Sequence, residues 1–435
     1  MLKSKAFAGA LLSLLFMGLG QLYHRQYGKG IAFVLFEVYL LLFWSLPFQW
    51  AMWGLTTLGE TPQLREGRKV VYPGDHSIFL MIEGIIFVVA LGLVLWLYYA
   101  NVRDAYRTGK ARDAGEPVKS LRHSIKHAWE HGFAYLLLTP TAIFTAFVTV
   151  LPLVFGILIA FTNYSGPNHL PPNQLVDWVG FQNFVQLFRL QTWGSTFFGV
   201  FQWTALWAIV TTVSTYVVGM AFAALLGHRK LRFLKLWRTI FILPWAVPGF
   251  ISILIMRNVF NGEFGPLNQY LQQLGLAAIP WLSDPVWAKT TLFLVQLWLG
   301  FPFWMLLVSG VMTSIDREMY EAAEVDGAGP FRKFRSITFP IALFSTTPLL
   351  IMEFAKNFNN FGLVYFLTQG NPVNTAYSYA GSTDLLITWI YKLTLDRNQF
   401  HMASVVSILI FVVVAALSIA NFRRTRAFKE EDMMS

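Results

Sequence analysis

Along the 435-residue chain, long apolar runs alternate with short polar links. The runs lie near 31–54, 78–100, 133–161, 199–227, 238–258, 288–313, 340–368 and 402–422. About 20 apolar residues suffice for a helix to cross the hydrocarbon core of a bilayer. The pattern therefore predicts an all-α polytopic membrane protein with about eight transmembrane helices. Several runs exceed the needed length, which predicts tilt or breaks. Pro140, Pro152, Pro244, Pro248, Pro302 and Pro348 fall within them. Membrane helices tolerate such breaks where they pack around a cavity. A further apolar stretch, Ala6 to Leu22, follows the basic start Met1 to Lys5 and resembles a signal peptide. No small-residue cleavage pattern follows it, so it is expected to be retained. Gly18 and Gly20 weaken it as a regular helix. It is expected to lie in the interface or to dip in and return, leaving eight crossings rather than nine.

Composition narrows this picture. The chain is 55% hydrophobic and 13% charged, against about 25% charged in soluble domains. A soluble helical bundle is thereby excluded. Cysteine is absent, which excludes disulfides, thiol nucleophiles and thiolate metal sites. The net charge is +10, yet no RNA- or DNA-binding motif occurs, and no nucleic-acid partner is expected. The excess of base instead reports orientation. Segment 101–132 carries seven Lys/Arg; 228–238 holds Arg229, Lys230, Arg232, Lys235 and Arg238 without an acid. Segment 314–336 holds Arg317, Arg332, Lys333 and Arg335, and the tail holds Arg423, Arg424, Arg426 and Lys429. The intervening links 162–198 and 259–287 carry only Arg189 between them. The basic links and the C-terminus are therefore expected in the cytoplasm.

Two parts follow from this organisation. Residues 1–132 form N-terminal membrane helices ending in a polar, charged linker, and 133–435 form a six-helix core. No repeat of 20–50 residues is visible. His123, His127 and His131 recur every four residues, a metal-compatible spacing. They lie in a basic, amphipathic stretch beside Trp129 that reads better as an interfacial helix, and no metal site is expected. Glu37 and Glu83 lie inside N-terminal spans and receive no role. No G-x-x-x-x-G-K-[ST] occurs, so the chain is not its own ATPase by that motif. No nucleophile–base pair stands out, and a non-enzymatic role is expected.

The link between two spans at 314–338 is the most informative segment. Asp316 is placed to cap a helix, with Glu318 favouring its N-terminal dipole. Ala322 and Ala323 favour helix and carry no bulk; Gly327, then Gly329-Pro330, break it, and a second basic helix leads onward. The product is a short helix-turn-helix lying across the membrane face. Its small residues suit a groove on another protein, with Glu321 at the rim, although the same features describe a solvated acidic loop helix.

Glu321-Ala322-Ala323, Gly327, Ile337 and Pro340 stand at the spacings of the EAA signature of ABC importer permeases, with Phe339 in place of the usual Leu. The chain resembles that family, and its maltose/maltodextrin permease branch most closely. Phe161-Thr162-Asn163-Tyr164, Leu243-Pro244-Trp245-Ala246-Val247-Pro248, Trp298 to Phe303, Asp326 to Pro330, Asn357-Phe358-Asn359-Asn360-Phe361 and Gly381 to Leu386 carry the likeness. It covers 133–435 well and 1–132 poorly in sequence. The large folded insertion that Gram-negative members carry after Phe-Thr-Asn-Tyr is replaced here by the short link 162–198, as in permeases of Gram-positive bacteria. In the family, Glu321, Ala322, Ala323 and Gly327 would belong to the coupling loop, about 314–338, that docks into the ATPase.

Two spans carry aligned polar or aromatic faces. Gln296, Leu299, Gly300 and Phe303 stand at i, i+3, i+4 and i+7, as do Glu353, Lys356, Asn357 and Asn360. Lipid disfavours such faces, so they should point into a bundle or cavity. Asn and Gln both donate and accept hydrogen bonds, Phe303 offers a flat platform, and Gly300 leaves its backbone open to close approach. Polar glue between helices is the competing reading. The family resemblance assigns sugar contacts to these eight positions. Gln296 replaces a shorter amide there, Phe303 replaces Tyr, and Glu353 and Lys356 depart most; at i, i+3 those two can pair.

The resemblance implies a bacterial plasma-membrane permease that binds no cofactor itself. Its partners would be a second, homologous permease, two copies of an ABC ATPase that uses ATP-Mg, an extracytoplasmic sugar-binding protein, the oligosaccharide and membrane lipid. Three rivals stand beside it. They are an ion-gradient-driven secondary sugar transporter using Glu353, an enzyme acting on lipid-linked sugars, and an ABC importer for a non-sugar solute.

Overall fold

The computed structural model describes residues 4–67, 69–115, 121–170, 172–227 and 232–424. Backbone packing gathers them into two compact units, Met1–Gly180 and Phe181–Ser435. The first helix of the expected core thus clusters with the N-terminal helices.

The first unit comprises α1 (Lys5–Leu15), α2 (Leu19–Tyr23), α3 (Tyr27–Phe43), α4 (Ser45–Thr57), a hairpin of β1 (Leu64–Glu66) and β2 (Lys69–Tyr72), α5 (Ser77–Asp113), α6 (Leu121–Thr145) and α7 (Leu151–Ile159). Gly18, at φ +87°, breaks the chain between α1 and α2, a conformation that costs glycine little. The Glu37 carboxylate accepts the Met17 N–H at this break, which gives that intramembrane acid a structural partner. α1 alone is too short to cross a bilayer. Its 11 residues span only about 16 Å, roughly half of a ~30 Å hydrocarbon core. It lies along the polar end of α5: Ser4 Oγ and the N–H groups of Lys5 and Ala6 donate to Asp113 at 2.9–3.2 Å. The Gln21 amide donates to Asn101 O at 3.0 Å, and Lys29 pairs with Asp104 at 2.6 Å. The N-terminal segment therefore folds back along α5.

The second unit comprises α8 (Gln182–Arg189), α9 (Gln191–Leu226), α10 (Leu234–Ala246), α11 (Gly249–Val259), α12 (Pro266–Gln273), α13 (Pro285–Ser314), α14 (Arg317–Val325), α15 (Pro330–Lys333), α16 (Phe339–Phe358), α17 (Phe361–Leu367), α18 (Leu386–Tyr391) and α19 (Phe400–Arg424). α9 and α13 are its central pair. One buried cluster joins Trp203, Trp207, Leu292 and Leu363; another joins Tyr216, Trp304, Met305 and Ala342. The Asp284 carboxylate caps α13 by accepting the N–H groups of Val286 and Trp287 at 2.9 and 3.0 Å, with Pro285 at the first turn.

Among the described residues, five helical segments are long and apolar enough to cross a bilayer. They are Ser77–Asp113, Gly132–Ile159, Gln191–Leu226, Pro285–Ser314 and Pro330–Leu367. Two bent pairs, α3 with α4 at 55° and α10 with α11 at 93°, bring the number to seven. α19 adds a shorter apolar stretch, Phe400–Ala416. The eight apolar runs of the sequence fall on these elements one for one. The sharpest bend follows Pro244 and precedes Pro248, where a missing N–H and ring clashes disfavour a continuous helix.

Candidate functional site

The two polar stripes meet. Gln296 of α13 and Asn357 of α16 are buried, and Gln296 Nε2 donates to Asn357 Oδ1 at 3.3 Å. Asn357 Nδ2 donates to Thr212 Oγ1 of α9 at 2.9 Å. Asn360 Nδ2 donates to Gln296 Oε1 at 3.2 Å, and Asn360 Oδ1 accepts the Leu363 N–H at 3.3 Å, capping α17. Three amides and a hydroxyl thus tie α9, α13, α16 and the start of α17 together. Thr212 carried no sequence signal of its own. It is one of several threonines on α9, and Thr204, Thr211 and Thr215 each bond a carbonyl one turn back.

The other stripe residues surround this network unevenly. The position of a Cβ on Gly300 would lie 2.8 Å from Thr215 Cγ2. The space left by Gly300 is therefore taken by α9 here. Leu299 packs against the Trp203–Leu292 cluster, and Phe303 against the Tyr216–Trp304 cluster. Lys356 Nζ lies 3.2 Å from both carboxylate oxygens of Glu353. The Glu353 side chain is 13% exposed and that of Lys356 is 73% exposed, so the cation reaches outward while shielding a half-buried acid.

The link after α13 forms the helix that its sequence predicts. Asp316 accepts the Glu318 N–H at 3.0 Å, and Arg317 pairs with Glu321 at 2.8 Å, one turn along. α14 then closes as a Schellman motif. Gly327 sits at φ +76°, its N–H donates to Glu324 O at 3.0 Å, and the Ala328 N–H donates to Ala323 O at 2.8 Å. The glycine of the signature is thus the one residue type that suits the left-handed position ending this helix. Lys333 of α15 pairs with Glu324 at 2.5 Å and holds its carboxyl below the usual range. Tyr320 Oη lies 2.8 Å from Thr338 Oγ1. Through the π-helical turn Phe334–Thr338, α15 runs directly into α16. No residue of α14 is buried, Val325 is 89% exposed, and Phe331 at the start of α15 is 74% exposed.

A third polar region lies at the far end of α13 from α14. The strap Asn371–Ser382 is closed by a Val373–Gly381 bridge and by the Ser382 N–H on Pro372 O at 2.7 Å. Beneath it the fully buried Asp384 accepts from the Gly381 N–H at 2.6 Å, Thr388 Oγ1 at 2.8 Å and Lys392 Nζ at 2.6 Å. Cavities of about 330 and 350 Å³ flank the strap. Sequence reading missed this region because its residues are scattered over nearly two hundred positions. The side chains of His123, His127 and His131 lie outside the described residues.

A family profile described as the binding-protein-dependent transport system inner membrane component matches residues 216–426. The galactooligosaccharides transport system permease protein GanP of Bacillus subtilis (strain 168) is 40% identical over 423 residues, covering 97% of this chain and 98% of GanP. The maltodextrin transport system permease protein MdxF of the same organism is 39% identical over 445 residues, covering 99% and 98%. Both alignments take in the N-terminal helices. A solved bacterial ABC transporter involved in the import of the acidic polysaccharide alginate superposes with a TM-score of 0.57 at 21% identity. That match covers 71% of this chain and 98% of the other, and the likeness is one of fold.

Proposed function

This chain belongs to the family of inner membrane components of binding-protein-dependent transport systems, and from that premise we propose that it is a permease subunit of an ATP-driven importer for maltodextrins or a related oligosaccharide. The full-length likeness to two oligosaccharide permeases supports the substrate class. Residues 133–435 supply the core, and the helices of 1–132 are an addition to it. The chain pairs with a second, similar permease, two ATPase copies work from the cytoplasmic face, and a binding protein delivers sugar from outside. The basic links and the C-terminus lie in the cytoplasm.

One observation carries the mechanism: α14, α15 and α16 form a single crank. α14 offers an exposed, small-faced surface to the ATPase, with Glu321, Ala322 and Ala323 on it and Gly327 at its end. The Lys333–Glu324 pair and the Tyr320–Thr338 contact lock α14 to α15 and to the root of α16. At the other end of α16 stand Asn357 and Asn360. Asn357 lies 19 residues from Thr338, about 28 Å along a helix, so a push on α14 is carried along most of the span to the amides. Closure of the ATPases on ATP-Mg moves the crank and separates α16 from α13. The amides then exchange each other for sugar hydroxyls, which they match as both donors and acceptors. Leu299, Gly300 and Phe303 provide the apolar side of the site, and Glu353 and Lys356 flank it. Hydrolysis resets the crank and releases the sugar inward. This chain binds no cofactor; the energy comes from its ATPase partners.

Two substitutions at Asn360 separate sugar binding from capping. Asn360→Asp keeps the oxygen that caps α17 and loses the amide donor. Asn360→Ala loses both. Uptake of labelled maltotetraose is expected to fall at least about tenfold in either variant, a loss of roughly 1.4 kcal/mol or more, with transporter assembly intact. Undiminished uptake by Asn360→Asp would reject this site.

A further inference from the structure

The cavity between the strap and the ends of α9 and α13 has unused hydrogen-bonding capacity. Lys289, Trp203, Tyr377, Asn374, Thr375 and Ser382 line it. The Lys289 ammonium sits 4.4 Å above the Trp203 ring, and among the described residues it makes no salt bridge. Asn374 Oδ1 already accepts the Ala376 N–H at 3.0 Å, which leaves its amide NH₂. The Trp203 indole N–H goes to Thr383 O at 3.3 Å. Asp384 also borders the cavity but is saturated by Lys392, Thr388 and Gly381. What remains is an ammonium, an amide and hydroxyls, a donor-rich set that calls for a ligand rich in oxygen acceptors.

Its walls are held in place. The Ser378 N–H donates to Thr196 Oγ1 at 2.7 Å, and the Trp389 indole to Ser378 O at 2.9 Å, pinning the strap to α9 and α18. Tyr377 is seated against Gly199, where a Cβ would fall 2.0 Å from its hydroxyl. Trp203 carries Lys289 over its ring and Phe293 packed edge-on at 5.6 Å. The Trp203 ring is therefore already engaged, which leaves the hydrogen-bonding groups of the lining for a ligand. About 330 Å³ falls in the range of small-ligand pockets.

Its position gives the ligand class. Trp203 precedes Thr212 by nine residues on α9, and Lys289 precedes Gln296 by seven on α13. At the helical rise these place the cavity about 13 Å and 10 Å from the amide network along the two helices, on the side away from α14. We propose that this cavity is a second saccharide subsite, which holds a trailing hexose unit of an oligosaccharide whose leading unit lies at the amide network. The inference rests on the oligosaccharide reading of the function and adds to it a preference for chains longer than a disaccharide.

The chain has no cysteine, so Thr375→Cys creates its one thiol, at an exposed position bordering both cavities. In right-side-out vesicles carrying the assembled transporter, a membrane-impermeant maleimide reads the accessibility of that thiol. Maltoheptaose or a galactotetraose at millimolar concentration is expected to slow labelling at least about fivefold, as when most sites are occupied. Adding Lys289→Met should abolish the protection. Equal labelling with and without either sugar would overturn the subsite. So would protection that survives Lys289→Met, and so would protection by an oligogalacturonate alone, which would indicate an anion site. Uptake of neither neutral sugar by the unmodified chain, read in the same vesicles, would remove the importer reading first and this inference with it.

Discussion

In the span network every amide bonds a neighbour: Gln296 to Asn357, Asn357 to Thr212, Asn360 to Gln296. Some 10–13 Å away along the same helices, the cavity beside the strap presents Lys289, Tyr377 and the Asn374 amide without such closure. The first region holds four segments together, and a ligand could use it only in exchange for those bonds. The second is held by other bonds, those of Asp384, Ser378 and Trp389, so its lining groups are not spent on holding the fold. Polar groups that serve as structure and polar groups that wait for a ligand are therefore distinguishable here by what else supports the backbone around them.

Substitution in each region should expose that difference. Asn357→Leu leaves Thr212 Oγ1 and Gln296 Nε2 without their partner. Two interhelical bonds in a membrane are worth about 1–3 kcal/mol together, so thermal unfolding of the purified transporter in detergent should move to clearly lower temperature. An unchanged midpoint would mean that the network is not structural. Gly199→Ala should act on the cavity instead. Its Cβ would meet the hydroxyl, Cζ and Cε1 of Tyr377 at 2.0–3.0 Å, so the ring must swing aside, at a cost of about 1–3 kcal/mol. Tyr377 is then driven into the cavity, and the KM for maltoheptaose should rise while that for maltose stays near its original value. Equal effects on both sugars would erase the contrast between the two regions.

How far the sequence reached differs by element for physical reasons. α14 was legible because its caps are local: Asp316, Glu318 and Gly327 act within one turn of their own backbone. The network was legible as two i, i+3, i+4, i+7 stripes, since helical periodicity alone aligns their members. Its third wall, Thr212, was not, because a threonine that bonds across helices is indistinguishable in sequence from those that bond their own turn. The strap cavity joins Trp203, Lys289 and Tyr377 through tertiary folding only, and no periodicity links them. Gly300 was legible only as open backbone; that Thr215 packs into the space it leaves is a tertiary fact. The return of α1 on α5 was half legible, since Gly18 marked the break but not the partner.

If α14 carries ATPase motion to α16, a single thiol placed through Ala323→Cys and cross-linked within the assembled transporter should capture the ATP-hydrolysing subunit, with a yield that changes between nucleotide-free and ATP-bound states. Capture of no such subunit in either state, or labelling of that thiol from outside sealed right-side-out vesicles, would contradict it.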